Sequence, residues 1–138
     1  MRRLKEAEVD LVASPHIRVE PYLYDMPEAM AMADLAVFRA GATGLAELMA
    51  RGVPAILVPY PYAAENHQEK NARAMAAAGA AEVILNRDLS GAVLKAKLHA
   101  LLADDAHRTA MAAAMRSLGK PEAAEEIAAL ALRICKEG

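Results

Sequence analysis

A parallel α/β fold, its sheet covered by helices on both faces, is the fold class that this 138-residue sequence predicts. Two observations carry the prediction. Short apolar runs recur along the chain, and each is followed by a stretch with helical spacing. Strands buried on both faces read as continuous apolar runs, whereas half-buried strands alternate. The composition agrees, with 56% hydrophobic but only 4% aromatic residues. A core of Ala, Leu, Val and Met suits helices packed closely on a sheet.

Each element has its own local reason. Residues 2–12 carry charges at helical spacing and read as a helix. His16–Leu23 (HIRVEPYL) alternates apolar and polar residues and reads as a strand. Asp25 is placed to cap a short helix, Pro27–Ala33, because proline suits a first helical turn. Leu35–Phe38 (LAVF) is a buried-type strand, broken at Arg39-Ala40-Gly41-Ala42 before a helix from Thr43 to Arg51. Gly52 ends that helix as a left-handed cap residue. Ala55–Val58 (AILV) is the next strand, and Pro59 and Pro61 open a loop through Glu65. A helix from Asn66 to Ala78 stops at Gly79, and Glu82–Leu85 (EVIL) follows as a strand. Ser90 caps a helix over Gly91–Ala103, and two more helices fit Ala106–Leu118 and Pro121–Lys136. Strand and helix thus alternate four times before the extra helices, and right-handed crossovers are the default. The arrangement is Rossmann-like, yet it opens on a helix, without the strand and glycine-rich turn that usually begin such a unit. The chain therefore reads as the tail of a longer polypeptide or one subunit of a split one.

Charge and cysteine content set limits on function. The 16 basic and 18 acidic residues leave a formal charge of −2, and no basic stripe with interleaved aromatics marks a nucleic-acid binder. The single cysteine, Cys135, allows no internal disulfide and no cysteine-rich metal site. His16, His99 and His107 fall in separate elements, so no metal site is expected, and no cofactor is required. No run approaches the roughly 20 apolar residues that span a bilayer. A soluble or peripheral protein in a reducing, cytoplasmic setting is the expectation.

Two segments carry chemistry. In the first, Phe38–Glu47 (FRAGATGLAE), a strand ends, small residues turn, and a helix begins. Gly41 and Ala42 leave room for close approach of a ligand to backbone N–H groups. The helix start adds about half a positive charge, which favours phosphate. Thr43 either caps the helix or offers its hydroxyl to an anionic oxygen, and Gly44 follows it in the same turn. Glu47, one turn into the helix, has a carboxylate able to accept both hydrogens of a ribose diol. Taken alone, the segment is better read as an ordinary strand–helix turn followed by an exposed glutamate. In the second segment, Pro59–Ala72, two prolines fix a loop directly after a strand's C-terminal end, where ligands sit in open parallel sheets. His67, Gln68 and Asn71 are spaced to share one face of the next helix. Imidazole and amide groups there suit sugar hydroxyls, which need donors and acceptors. A plain reading, with Asn66 capping the helix and the others solvated, stands beside it.

Together the two segments resemble the donor-binding C-terminal domain of the MurG family, glycosyltransferases of the GT-B architecture. The match rests on Arg39-Ala40-Gly41-Ala42, then Glu47, the proline-rich loop, His67-Gln68 and Asn71-Ala72. Tyr22–Met26 and Ala33-Asp34 also look like the family's preceding segment, and the resemblance runs from Ile17 to the last helix. It implies a donor, UDP-N-acetylglucosamine, and an acceptor, the undecaprenyl-linked N-acetylmuramoyl-pentapeptide of peptidoglycan synthesis. It implies that Leu23 meets uracil through its backbone with Tyr22 beside the base. Ala42 and its neighbours Gly41, Thr43 and Gly44 would line the diphosphate, Glu47 the ribose, and Gln68 and Asn71 the sugar, with His67 adjacent.

The chain departs from the family at Gly44, where the family carries Ser or Thr. A backbone contact survives that change and a hydroxyl contact does not, which leaves Thr43 as the compensating hydroxyl. The family's N-terminal domain, with its acceptor site and proposed base, has no counterpart in residues 1–138, and neither does the first strand of the donor domain. The catalytic residues, the lipid-linked acceptor and a peripheral contact at the inner face of the membrane are therefore expected through that other domain, and this chain alone is not expected to catalyse transfer. Two rivals remain: the donor-binding subunit of another UDP-sugar transferase, with a dolichol-linked or glycolipid acceptor, and a non-catalytic scaffold.

Overall fold

The computed structural model describes residues 16–137. In chain order it holds α1 (Met26–Ala31), β1 (Ala36–Phe38), α2 (Ala42–Arg51), β2 (Ala55–Leu57), α3 (His67–Ala77), β3 (Ala81–Val83), α4 (Gly91–Ala103), α5 (Asp105–Leu118) and α6 (Ala123–Glu137). The three strands pair in parallel in the order β1-β2-β3. Ala55 of β2 stands beside Ala36 on one side and Ala81 on the other.

The central strand shows why these runs are wholly apolar. Successive strand residues point to opposite faces. Ala55 and Leu57 pack with Leu45 and Leu48 of α2, Ala72 of α3 and Met115 of α5. Ile56 and the following Val58 pack on the other face with Ile84, Leu101 of α4 and Met111 of α5. Helices thus cover both faces, as the sequence predicts. Leu48, Ile56 and Leu57 are fully buried, which stabilises the fold by roughly 1.5–3 kcal/mol for each side chain.

The helix ends follow their local chemistry. Gly52 adopts φ 69°, and its N–H bonds the Leu48 carbonyl at 2.8 Å. The Ser90 hydroxyl accepts from the Val93 amide at 3.2 Å, and Asp104 accepts from the His107 amide at 2.9 Å. Asp25 occupies the cap position of α1 without a side-chain bond to the helix.

Two expectations change. His16–Leu23 is not a strand, and the alternation of strand and helix occurs three times, not four. Arg18 and Glu20 bond each other at 2.7 Å, most of the segment is exposed, and Pro21 has no N–H to give a ladder. Among the described residues no strand pairs with this segment. Element bounds also shift by a residue or two: α1 starts at Met26 and ends at Ala31, and β3 starts at Ala81 and ends at Val83. The expected helix over residues 2–12 lies outside the described residues. Among those residues, no helix is long and apolar enough to cross a membrane.

Candidate functional site

The turn after β1 leaves a helix start open. Gly41 holds the cap position of α2 in an extended conformation, with no side chain capping the helix. The first α-helical bond of α2 runs from the Leu45 amide to the Gly41 carbonyl at 3.0 Å. The amides of Ala42, Thr43 and Gly44 precede that bond, so the helix itself gives them no partner. Thr43 is therefore not the cap: it sits inside the first turn with its side chain exposed. Glu47 stands exposed further along the same helix, without an ion-pair partner among the described residues.

Gln68 and Asn71, both half-buried on α3, face this turn. A Cβ on Gly41 would lie 3.8 Å from Gln68 Nε2, so the amide stands directly beside the start of α2. Asn71 Nδ2 donates to the Ala40 carbonyl at 3.2 Å. The Tyr60 amide donates to Gln68 Oε1 at 3.0 Å. These bonds settle which way each amide points. A backbone N–H only donates, so the Gln68 oxygen turns toward Tyr60 and its NH2 is left for a ligand. A backbone carbonyl only accepts, so the Asn71 NH2 turns inward and its oxygen is left as an acceptor.

His67, at the first position of α3, has a local partner of its own. Its Nδ1 lies 2.7 Å from the Ala64 carbonyl, and the ring is exposed. In the loop before it, Glu65 and Asn66 both take left-handed conformations, φ 49° and 55°. Asn66 does not cap α3 with its side chain, which donates instead to Glu69 Oε2 at 3.0 Å. Tyr22 is 67% exposed and stacks edge-on with Tyr24, while Leu23 is half-buried. Both lie just before α1 in the chain. No bond ties them to α2 or α3.

Several contacts here were not legible as site features. The Ala40 carbonyl and Tyr60 amide orient the two amides, and backbone groups carry no residue-type signal. Arg39, part of the quoted motif, spans the strand ends: its Nη1 lies 3.2 Å from the Val58 and Pro59 carbonyls and 3.0 Å from Asn86 Oδ1. Its guanidinium also lies 5.8 Å from the Tyr60 ring centre. A separate hollow of about 410 Å³, lined by Asp34, Asp105, Arg108 and Arg116 among others, contains none of the expected site residues.

An open parallel sheet with helices on both faces, a bare helix start and an amide-bearing helix defines a protein of the Rossmann-like α/β class. Comparison narrows it further. Residues 2–127 match the model of the glycosyltransferase family 28 C-terminal domain, and the chain belongs to that family. The chain is 46% identical over its whole length to a UDP-N-acetylglucosamine--N-acetylmuramyl-(pentapeptide) pyrophosphoryl-undecaprenol N-acetylglucosamine transferase of Moorella thermoacetica, covering 37% of that protein. A protein of the same description from Desulfitobacterium hafniense is 56% identical over 83% of this chain and 31% of its own length. The chain thus spans about a third of the length of these curated relatives. Among solved structures, MurG of Acinetobacter baumannii is similar with a TM-score of 0.74 at 35% identity, over 83% of this chain and 34% of that one. A glycotransferase of kitacinnamycin gives a TM-score of 0.64 at 25% identity, over 83% of this chain and 29% of its own.

Proposed function

We propose that residues 1–138 form part of the donor-binding C-terminal domain of an inverting glycosyltransferase, holding UDP-N-acetylglucosamine for transfer to an undecaprenyl-pyrophosphoryl N-acetylmuramoyl-pentapeptide. The observation that carries this reading is the closeness of the open start of α2 to the Gln68 amide of α3, whose Nε2 would lie 3.8 Å from a Cβ on Gly41. The relatives are named for this donor and acceptor.

Within that reading, the free amides of Ala42, Thr43 and Gly44 receive the diphosphate, with the Thr43 hydroxyl beside them. Glu47 accepts from the ribose hydroxyls. The Leu23 backbone and the Tyr22 ring serve the uracil. The Gln68 NH2 and the Asn71 oxygen offer one donor face and one acceptor face to the sugar. His67 borders it with Nε2, because Nδ1 is turned to Ala64. An acceptor hydroxyl then attacks the anomeric carbon, the bond to the diphosphate breaks, and UDP leaves with the electron pair. Preorganised N–H groups at the start of α2 stabilise the charge that grows on that leaving group. The base that takes the acceptor's proton and the contact with the membrane surface belong to the part of the relatives that this chain does not span.

Glu47→Ala in the full-length protein tests the ribose contact. Loss of a bidentate, charge-assisted contact predicts UDP binding weaker by about tenfold or more in calorimetry. Unchanged UDP affinity removes Glu47 from the site.

A further inference from the structure

Asn86 lies just beyond β3, at the edge where β1 and β2 also end. Its Oδ1 accepts from Arg39 Nη1 at 3.0 Å. The same nitrogen faces the carbonyls of Val58 and Pro59, each at 3.2 Å. Arg39 follows β1, Val58 and Pro59 follow β2, and Asn86 follows β3, so one guanidinium joins the ends of all three strands. The Pro59 carbonyl and the Tyr60 N–H belong to one planar peptide unit and point in opposite directions. Holding the carbonyl toward Arg39 therefore aims the amide the other way, and that amide donates to Gln68 Oε1 at 3.0 Å. The Tyr60 ring, 5.8 Å from the guanidinium, rests on the same group.

We propose that Asn86 and Arg39 are positioning residues for the sugar end of the site, setting the Gln68 amide through the Pro59–Tyr60 peptide. Asn86 makes no contact with the nucleotide in this scheme. It holds the guanidinium that holds the peptide that turns the Gln68 NH2 toward Gly41 at the start of α2. The inference rests on the donor-binding reading above. It adds a residue outside both sequence motifs and a division of labour: the relay serves the sugar and leaves the nucleoside diphosphate alone.

The test measures binding of UDP and of UDP-N-acetylglucosamine to the full-length protein, as wild type, Asn86→Ala and Asn86→Asp. Asn86 is exposed, so neither change removes core packing, and unchanged melting temperatures check this. Asn86→Ala is expected to weaken sugar-nucleotide binding by about three- to tenfold, the size of one neutral hydrogen bond, with UDP affinity unchanged. Asn86→Asp keeps an acceptor for Arg39 and is expected to restore wild-type binding. Equal losses for both ligands, no loss for the sugar nucleotide, or Asp performing no better than Ala would each overturn the relay. Wild-type protein that binds neither ligand would remove the donor-binding reading itself, and the relay with it.

Discussion

Gly44 and Phe38 occupy one volume between them. A Cβ at position 44 would lie 2.4 Å from Phe38 Cε1, closer than real Cβ contacts come, and a tight 3.1 Å from Cδ1. The ring of β1 therefore fills the space that a side chain in the first turn of α2 would take. This gives a physical reason for glycine where the resembling family carries Ser or Thr. Overpacking of this kind costs about 1–3 kcal/mol. Gly44→Ser is predicted to destabilise the protein by that amount in urea unfolding. Adding Phe38→Ala is predicted to make the double variant more stable than the sum of the single effects by about 1 kcal/mol. Strict additivity would show that the two residues do not compete. The sequence announced the departure at Gly44 but not its cause, because Phe38 comes close only once β1 and α2 pack. Gly52 and Ser90 were legible for the opposite reason. Their work is done within a few residues of themselves.

The start of α3 is the element that most shapes the candidate site, and it is held by polar contacts. Asn66 and Arg73 both donate to the Glu69 carboxylate, at 3.0 Å and at 2.6–2.8 Å. The Asn66 bond first, then the Arg73 guanidinium, hold this carboxyl below the usual glutamate range. A lowered value in the folded state means that the stabilisation is complete above the ordinary glutamate value. It fades as pH falls through the lowered one. A carboxyl-carbon NMR titration is expected to find Glu69 ionised at more acidic pH than a free glutamate. Asn66→Ala is expected to move the midpoint upward, and an unmoved midpoint would contradict the assignment. Of the left-handed pair Glu65–Asn66 just before α3, Glu65 costs of order 1–3 kcal/mol. Asparagine tolerates that conformation and glutamate rarely does. Helical spacing groups His67 with Gln68 and Asn71 but does not register this turn, beside which the His67 imidazole meets the Ala64 carbonyl. The alternation in His16–Leu23 likewise names a strand only if a partner edge is present, and pairing is not a local property.

At the scale of the whole molecule, the layered fold follows directly from three apolar runs, because each strand buried on both faces must be apolar throughout. The same logic places the functional edge. Every strand's C-terminal end feeds a residue into one polar network: Arg39 after β1, Pro59 and Tyr60 after β2, Asn86 after β3. That network supports Gln68, while the opening of α2 stands beside it. Helix α6 leaves Ile127, Leu130 and Ile134 exposed on one stripe, and nothing among the described residues covers them. The most direct test of the donor site is a crystal structure of the full-length protein with UDP-N-acetylglucosamine. The diphosphate should lie on the amides of Ala42–Gly44, the ribose against Glu47, and the sugar between Gln68 and Asn71. A nucleotide found in the hollow lined by Arg108 and Arg116, with the start of α2 empty, would contradict it.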